Sequence, residues 1–259
     1  MRESPSERFS RQELFAPIGP EGQRRIAAAR VVLIGCGALG STLANALVRA
    51  GVGELEIVDD DRLEWSNLQR QTLFEEEHVR QGRFKAEAAL DVLGRINPTV
   101  RLAARLERLN AGNVENLIGK PQVVLDATDN FRTRYLINDY CVREGLPWIY
   151  GGCAAAYGTS LSVIPERTPC LRCLFPEPPA GDTELTCHQV GIIGPIAHLV
   201  ASIQGAEALK ILSGHPEAVR PRLVTVDLWN DQFLSLPLAE RDPQCPCCGR
   251  RDFVFLEPA

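Results

Sequence analysis

The sequence predicts an α/β protein, with a doubly wound, mostly parallel sheet and a mixed C-terminal half. Three observations predict this. A short apolar run, a glycine-rich turn and a helical-period stretch come early and lead into a second apolar run. Strand-like and helix-like segments then alternate regularly to about residue 150. Beyond that point the alternation breaks, and two Cys-x-x-Cys pairs enter the chain.

Residues 30–35 (RVVLIG) are apolar and β-branched, the composition of a buried strand. The turn GCGALG follows, and residues 41–50 carry apolar side chains at helical spacing until Gly51 and Gly53 stop them. Residues 54–59 (ELEIVD) make the second strand. Such a βαβ opening predicts a parallel sheet with helices on both faces. Residues 85–95 read as a helix ending before Asn97-Pro98, and 100–106 as the third strand. A helical stretch at 113–118 leads to the fourth strand at 123–126, a helix at 131–143, and the next strand from 148. Residues 157–164 alternate like an exposed strand, and 165–179 are proline-rich. Residues 192–212 form a long apolar helix despite Pro195, and 222–227 with 232–236 form a late strand pair. The chain reads as a single domain: an N-terminal helical arm (1–29), a nucleotide-binding half (30–152) and a second half (153–259).

Composition narrows the classes of function. The 259 residues are 45% hydrophobic and 24% charged, as in ordinary soluble proteins. A net charge of −5 offers no nucleic-acid surface. The apolar stretches are interrupted too early to cross a bilayer, and the N-terminus lacks the apolar core of a signal peptide. The expected location is cytoplasmic. Nine cysteines are many for a reducing compartment, an odd number does not suit a purely disulfide framework, and metal or thiol chemistry becomes the expectation.

Gly35, Gly37 and Gly40 form GxGxxG between a strand and a helix. Glycine lets backbone approach a phosphate, and the helix N-terminus offers free N–H groups. Asp59, at the end of the second strand, has the spacing of a carboxylate that binds ribose hydroxyls. These features alone also suit an NAD-dependent oxidoreductase. Arg70 within NLQRQ, Lys85 at a helix start and Asp129 after the fourth strand shift the balance. All three belong to the crevice at the strands' C-terminal ends, where two cations and a Mg²⁺-binding carboxylate suit a triphosphate. His78, His188, His198 and His215 read as surface or capping residues.

Cys170-x-x-Cys173 and Cys245-x-x-Cys248 can complete a structural Cys₄ zinc site that pins distant parts of the chain together. Redox use of the CxxC pairs is the alternative, and Cys247 leaves the ligand choice in the second pair open. Cys187 stands in a loop ahead of the long helix, where a thiolate nucleophile is chemically reasonable. Cys36, Cys141 and Cys153 read as buried small residues.

Together the motifs RFSRQ (from Arg8), GCGALG, AGVGELEIVDDD, SNLQRQTLF, RINP, DATDN, CLRC, TCHQVGIIGP and QGAEALKILSG resemble the ThiF/MoeB/HesA family. That family has a Rossmann-like adenylation domain shared with ubiquitin-activating enzymes. The resemblance implies ATP-dependent adenylation of the C-terminal Gly-Gly carboxylate of a small ubiquitin-like sulfur-carrier protein, with release of pyrophosphate. It implies that Gly37 and Gly40 shape the phosphate turn, that Asp59 binds ribose with Asp61 nearby, and that Asn67, Arg70 and Lys85 hold phosphates. Asp129 would organise Mg²⁺, and Arg8 would reach the partner's ATP across a homodimer. Cys187 matches the cysteine that meets the activated carboxylate or a sulfur donor. Ala38 stands where a further glycine is common, and Phe84 where a proline usually precedes the lysine.

The carrier would be ThiS-like, for thiamine biosynthesis, or MoaD-like, for molybdenum cofactor biosynthesis. CLRCLFPEPP and the chain end past CPCCG lean toward ThiF. With no rhodanese segment following, sulfur is expected from a separate desulfurase or rhodanese.

Overall fold

A computed structural model describes residues 5–179 and 190–257. Cys187 and His188 lie outside the described residues. The elements are α1 (Pro5–Glu13), α2 (Gly19–Ala28), β1 (Arg30–Ile34), α3 (Ala38–Ala50), β2 (Glu54–Val58), α4 (Glu76–Arg80), α5 (Lys85–Ile96) and β3 (Arg101–Arg105). They continue with α6 (Val114–Ile118), β4 (Val123–Asp126), α7 (Phe131–Glu144), β5 (Trp148–Ala154), β6 (Tyr157–Val163) and α8 (Leu171–Leu174). The last are α9 (Gly194–Leu212), β7 (Arg222–Asp227) and β8 (Gln232–Pro237). No helix among the described residues is long and apolar enough to cross a membrane.

One sheet holds all eight strands in the order β3-β2-β1-β4-β5-β6-β7-β8. β1 to β5 pair in parallel, and β6, β7 and β8 add on antiparallel. The period of two along β1 builds two cores. Val31 and Leu33 face a layer with Leu43 and Leu47 of α3, Leu93 of α5 and Val200 of α9. Val32 and Ile34 face a layer with Leu117 of α6, Tyr135 and Ile137 of α7, and Trp148. A strand buried on both faces needs an unbroken apolar run, which VVLI (31–34) supplies after Arg30.

Two helix boundaries differ from the sequence reading. α3 begins at Ala38 rather than residue 41, because the glycine turn is already its first turn: the Ser41 N–H donates to the Gly37 carbonyl at 2.9 Å. α9 begins at Gly194 rather than 192, because Ile192 is spent on a bridge to Ala155. Pro195 then sits in the first turn, where its missing N–H has no partner to lose.

The second core encloses the cysteine pairs. The sulfurs of Cys170, Cys173, Cys245 and Cys248 all lie within 4.8 Å of one another. Three Sγ–Sγ separations are 3.9, 3.6 and 3.3 Å. Tetrahedral zinc with bonds of about 2.3 Å sets its sulfurs about 3.8 Å apart, so the four can hold such an ion. Cys247 is not one of these four, and its Sγ accepts from Asn138 Nδ2 at 3.2 Å. The Asn138 Oδ1 in turn accepts from the Leu171 N–H. Beside it the buried Arg172 guanidinium donates to Asp139 at 3.1 Å and to the Asp252 carbonyl at 2.9 Å. The cluster is thereby tied to α7.

Candidate active site

The C-terminal ends of β1, β2 and β4 open onto one cleft of about 450 Å³. Its floor is the turn between β1 and α3. Gly35 has φ +94°, and a Cβ there would lie 2.7 Å from the Ala127 carbonyl oxygen. A Cβ on Gly40 would lie 2.0 Å from the Gly35 carbonyl oxygen, so Gly40 packs the turn from beneath rather than lining the cleft. Gly37 is different: a Cβ there would meet only Gln71 Nε2, at 3.9 Å. The space above it belongs to the cleft. Gly37 caps α3 without a side chain, which leaves the first N–H groups of the helix open to a ligand.

Asp59 stands just after β2. Its Oδ2 accepts from the Cys36 N–H at 2.6 Å and its Oδ1 from the Asp61 N–H at 2.9 Å. Burial raises its pKa, against the pull of Lys85 and these two N–H groups. The carboxylate is thus aimed from the glycine turn into the cleft. Cys36 itself is inert, since burial and the Asp59 charge push its thiol up.

The cations enter from two elements. Lys85 is the first residue of α5, and its Nζ lies 2.6 Å from Asp61 Oδ2. Asp61 is therefore the ion-pair partner of Lys85. Arg70 donates from Nη1 to the Ser66 carbonyl at 2.6 Å. The Asn67 Oδ1 accepts from the Glu64 N–H at 3.0 Å and shapes the turn that delivers Arg70. Asp129 lines the opposite wall and is exposed. It follows a turn in which Asp126 Oδ1 accepts from the N–H and hydroxyl of Thr128. Asn130 then caps α7, accepting from the Thr133 N–H at 2.9 Å.

The cleft thus gathers Gly37, Asp59, Asp61, Asn67, Arg70, Lys85 and Asp129. Arg8 does not line the cleft of its own chain; its Nη1 donates to the Ile96 carbonyl at 2.9 Å. None of the described histidines lines it.

Three residues were missed or misread from sequence. Gln71 is 2% exposed, lines the cleft, and its Oε1 has no hydrogen-bond partner among the described residues. An orphaned buried amide beside a glycine turn is a ligand-facing group, and its only sequence signal was adjacency to Arg70. Cys153, read as buried, is half-exposed and lines the cleft. The cause is register: β4 pairs with β5 only as far as Tyr150, so the end of β5 runs past its neighbour. Asp126 is fully buried, and that burial lifts its pKa to about 6 despite Arg134 and the Thr128 bonds.

Chemically, the cleft offers the Asp59 carboxylate, the open N-terminus of α3, cationic side chains that include Arg70 and Lys85, and the exposed carboxylate of Asp129. Mg²⁺ takes one or two carboxylates together with substrate phosphates, and Asp129 fits that donor pattern.

Comparison with known proteins gives a matching result. The model of the ThiF family matches residues 9–247. The sulfur carrier protein ThiS adenylyltransferase of Bacillus subtilis is 46% identical over 250 residues, covering 96% of this chain and 73% of that one. The SAMP-activating enzyme E1 of Haloferax volcanii is 40% identical over 251 residues, covering 97% and 92%. Among solved structures, E. coli MccB superposes with a TM-score of 0.83 at 22% identity, over 96% of this chain and 74% of that one, a likeness of fold.

Proposed function

This chain belongs to the ThiF family, and from that premise we infer that it is a sulfur-carrier adenylyltransferase, which joins AMP to the C-terminal carboxylate of a ubiquitin-like carrier protein. The observation that carries this reading is the convergence of Asp59, Arg70, Lys85 and Asp129 on one glycine turn. A carrier carboxylate is already an anion at neutral pH, so it attacks the α-phosphate without a general base. The new C–O–P bond forms as the bond to the β-phosphate oxygen breaks, and pyrophosphate leaves. The barrier is the approach of an anion to a polyanion, and charge placed in advance lowers it.

In this reading Asp59 takes the ribose hydroxyls, and the α3 N-terminus and Gln71 meet the phosphates. Arg70 and Lys85 hold the charge that builds on the leaving group, with Asn67 keeping their turn in shape. Lys85 exchanges its contact with Asp61 for phosphate. Asp129 would hold Mg²⁺, which would supply further neutralisation of phosphate charge. Zinc at Cys170, Cys173, Cys245 and Cys248 is structural, because four protein thiolates leave no open position.

The half from residue 153 onward receives the carrier. Every residue of β8 is exposed, including Phe233 and Leu234, and the adjoining Trp229 is 78% exposed. Apolar surface of this extent at a sheet edge suits an apolar face on a small protein. The carrier ends in Gly-Gly and is ThiS-like or MoaD-like, serving thiamine or molybdenum cofactor synthesis. A separate desulfurase or rhodanese supplies the sulfur, and Cys187 takes part in its transfer. The enzyme works in the cytoplasm as a homodimer, with Arg8 acting on the partner's nucleotide.

The test is exchange of labelled pyrophosphate into ATP, with and without candidate carriers. Exchange should require a carrier ending in Gly-Gly, and Asp129→Ala should abolish it. Parental exchange by Asp129→Ala would show the site assignment to be wrong.

A further inference from the structure

We propose that Phe84 and Arg62 are positioning residues for Lys85, clamping the start of α5 to the loop that follows β2; the inference rests on the adenylation reading above. Residues 61–63 and 83–85 run antiparallel. The Leu63 N–H donates to the Arg83 carbonyl at 2.9 Å, and the Lys85 N–H donates to the Asp61 carbonyl at 2.9 Å. Between those bonds Arg62 and Phe84 face each other as an isolated bridge. The Arg62 guanidinium stands 3.8 Å from the centroid of the Phe84 ring, and its Nη1 donates to the Gly82 carbonyl.

The clamp matters because the first turn of α5, packed on the core through the buried Ala86, has no side-chain cap at its N-terminus. Phe84 is the N-cap and contributes no side-chain acceptor. An uncapped first turn has orphan N–H groups and frays. Lys85 is the first residue of that turn, so any fraying moves the ammonium that faces the cleft. Small misplacements of a charge-stabilising group are expensive in rate. Two backbone bonds and a cation–π stack remove that freedom, and they deliver Nζ to 2.6 Å from Asp61 Oδ2.

The backbone at residue 84 supplies a discriminating variant. Phe84 has φ −68° and ψ 142°, angles that a proline ring imposes by itself. Its N–H is not one of the two ladder donors of the strap. Proline at position 84 should therefore fix the same backbone covalently and make the Arg62 stack unnecessary. If Arg62, which also lines the cleft, instead touched nucleotide, proline could not replace it.

The experiment measures equilibrium ATP binding and carrier-dependent pyrophosphate exchange with the full chain, and follows thermal unfolding alongside. Phe84→Ala and Arg62→Ala should each weaken ATP binding and lower kcat/KM for ATP by about fivefold, the scale of one exposed-to-half-buried cation–π contact. The two together should lose no more than either alone. Phe84→Pro should bind ATP like the parent, and adding Arg62→Ala to it should change nothing. An Arg62→Ala loss of the same size behind Phe84→Pro overturns the proposal, as do additive losses in the alanine pair or single variants with unchanged ATP affinity. Should Phe84→Pro not fold, the alanine pair still decides between shared and additive losses. A parent chain that binds no ATP defeats the adenylation reading itself, a result distinct from all of these.

Discussion

Replacing Asp126 with Asn should stabilise the protein at neutral pH, and the gain should fade as the pH falls. The Asp126 carboxylate is fully buried, and its Oδ2 has no hydrogen-bond partner among the described residues. Burial lifts its pKa from 3.8 to about 6, even with Arg134 and Thr128 opposing. The folded state therefore holds this proton more tightly than the unfolded one. Ionised Asp126 lowers stability in full above about pH 6, and that loss is removed as the pH drops through 6 toward 4. A lift of about two pH units at about 1.4 kcal/mol each is a cost of about 3 kcal/mol at pH 7.5. Asn keeps the two Thr128 bonds at Oδ1 but buries an amide N–H₂ without an acceptor, which costs about 1 kcal/mol. The net gain is about 2 kcal/mol at pH 7.5, shrinking below about 1 kcal/mol at pH 5. Denaturant unfolding of both chains at pH 5, 6 and 7.5 reads the difference, in which the other titrating groups cancel. Identical pH dependence in the two chains would refute the reasoning.

Three further outcomes are expected. Purified protein should contain about one zinc per chain, and Cys245→Ser should lose metal and thermal stability together, as metal analysis and melting would reveal; freshly prepared parent without zinc would end the idea. Arg8→Ala and Asp129→Ala chains, each weak alone, should regain part of the exchange activity when mixed, because one site of the hybrid dimer is whole; a fully active monomer would contradict this. Cys187→Ser should keep carrier-dependent exchange within a few-fold of the parent, under about 1 kcal/mol of barrier, yet give no thiocarboxylate carrier with a persulfide donor by mass spectrometry.

Much of the fold was legible because the nucleotide half is locally determined. RVVLIG and ELEIVD announce their conformation through composition and period, and β1 and β2 lie where those segments put them, while α3 starts three residues early, inside GCGALG. The convergence of Arg70, Lys85 and Asp129 was legible from topology, since strand ends in a parallel sheet share one crevice. What was not legible depends on contacts between segments distant in sequence. Cys153 looked like a core residue because only the register of β4 against β5 exposes it. The pairing of Lys85 with Asp61 needs the strap between 61–63 and 83–85, which no period reveals. The contact of Cys247 with Asn138, 109 positions away, is likewise invisible to any local pattern.

That last contact bears on how the chain is made. Cys170 meets Cys245 across 75 positions, and Asp139 meets the Phe255 N–H across 116. On the ribosome, α7 and the first cysteine pair therefore emerge long before the segment that covers them. Until then Asn138, Asp139 and Arg172 stay hydrated, and the nascent chain carries a half-built thiolate pair. Closing contacts of such separation is slow and comes at the cost of loop entropy. On the zinc reading proposed above, metal capture would be a late event in biogenesis. On that reading, a cell short of zinc should accumulate chains in which the core between Tyr135 of α7 and Trp148 of β5 remains open to proteolysis.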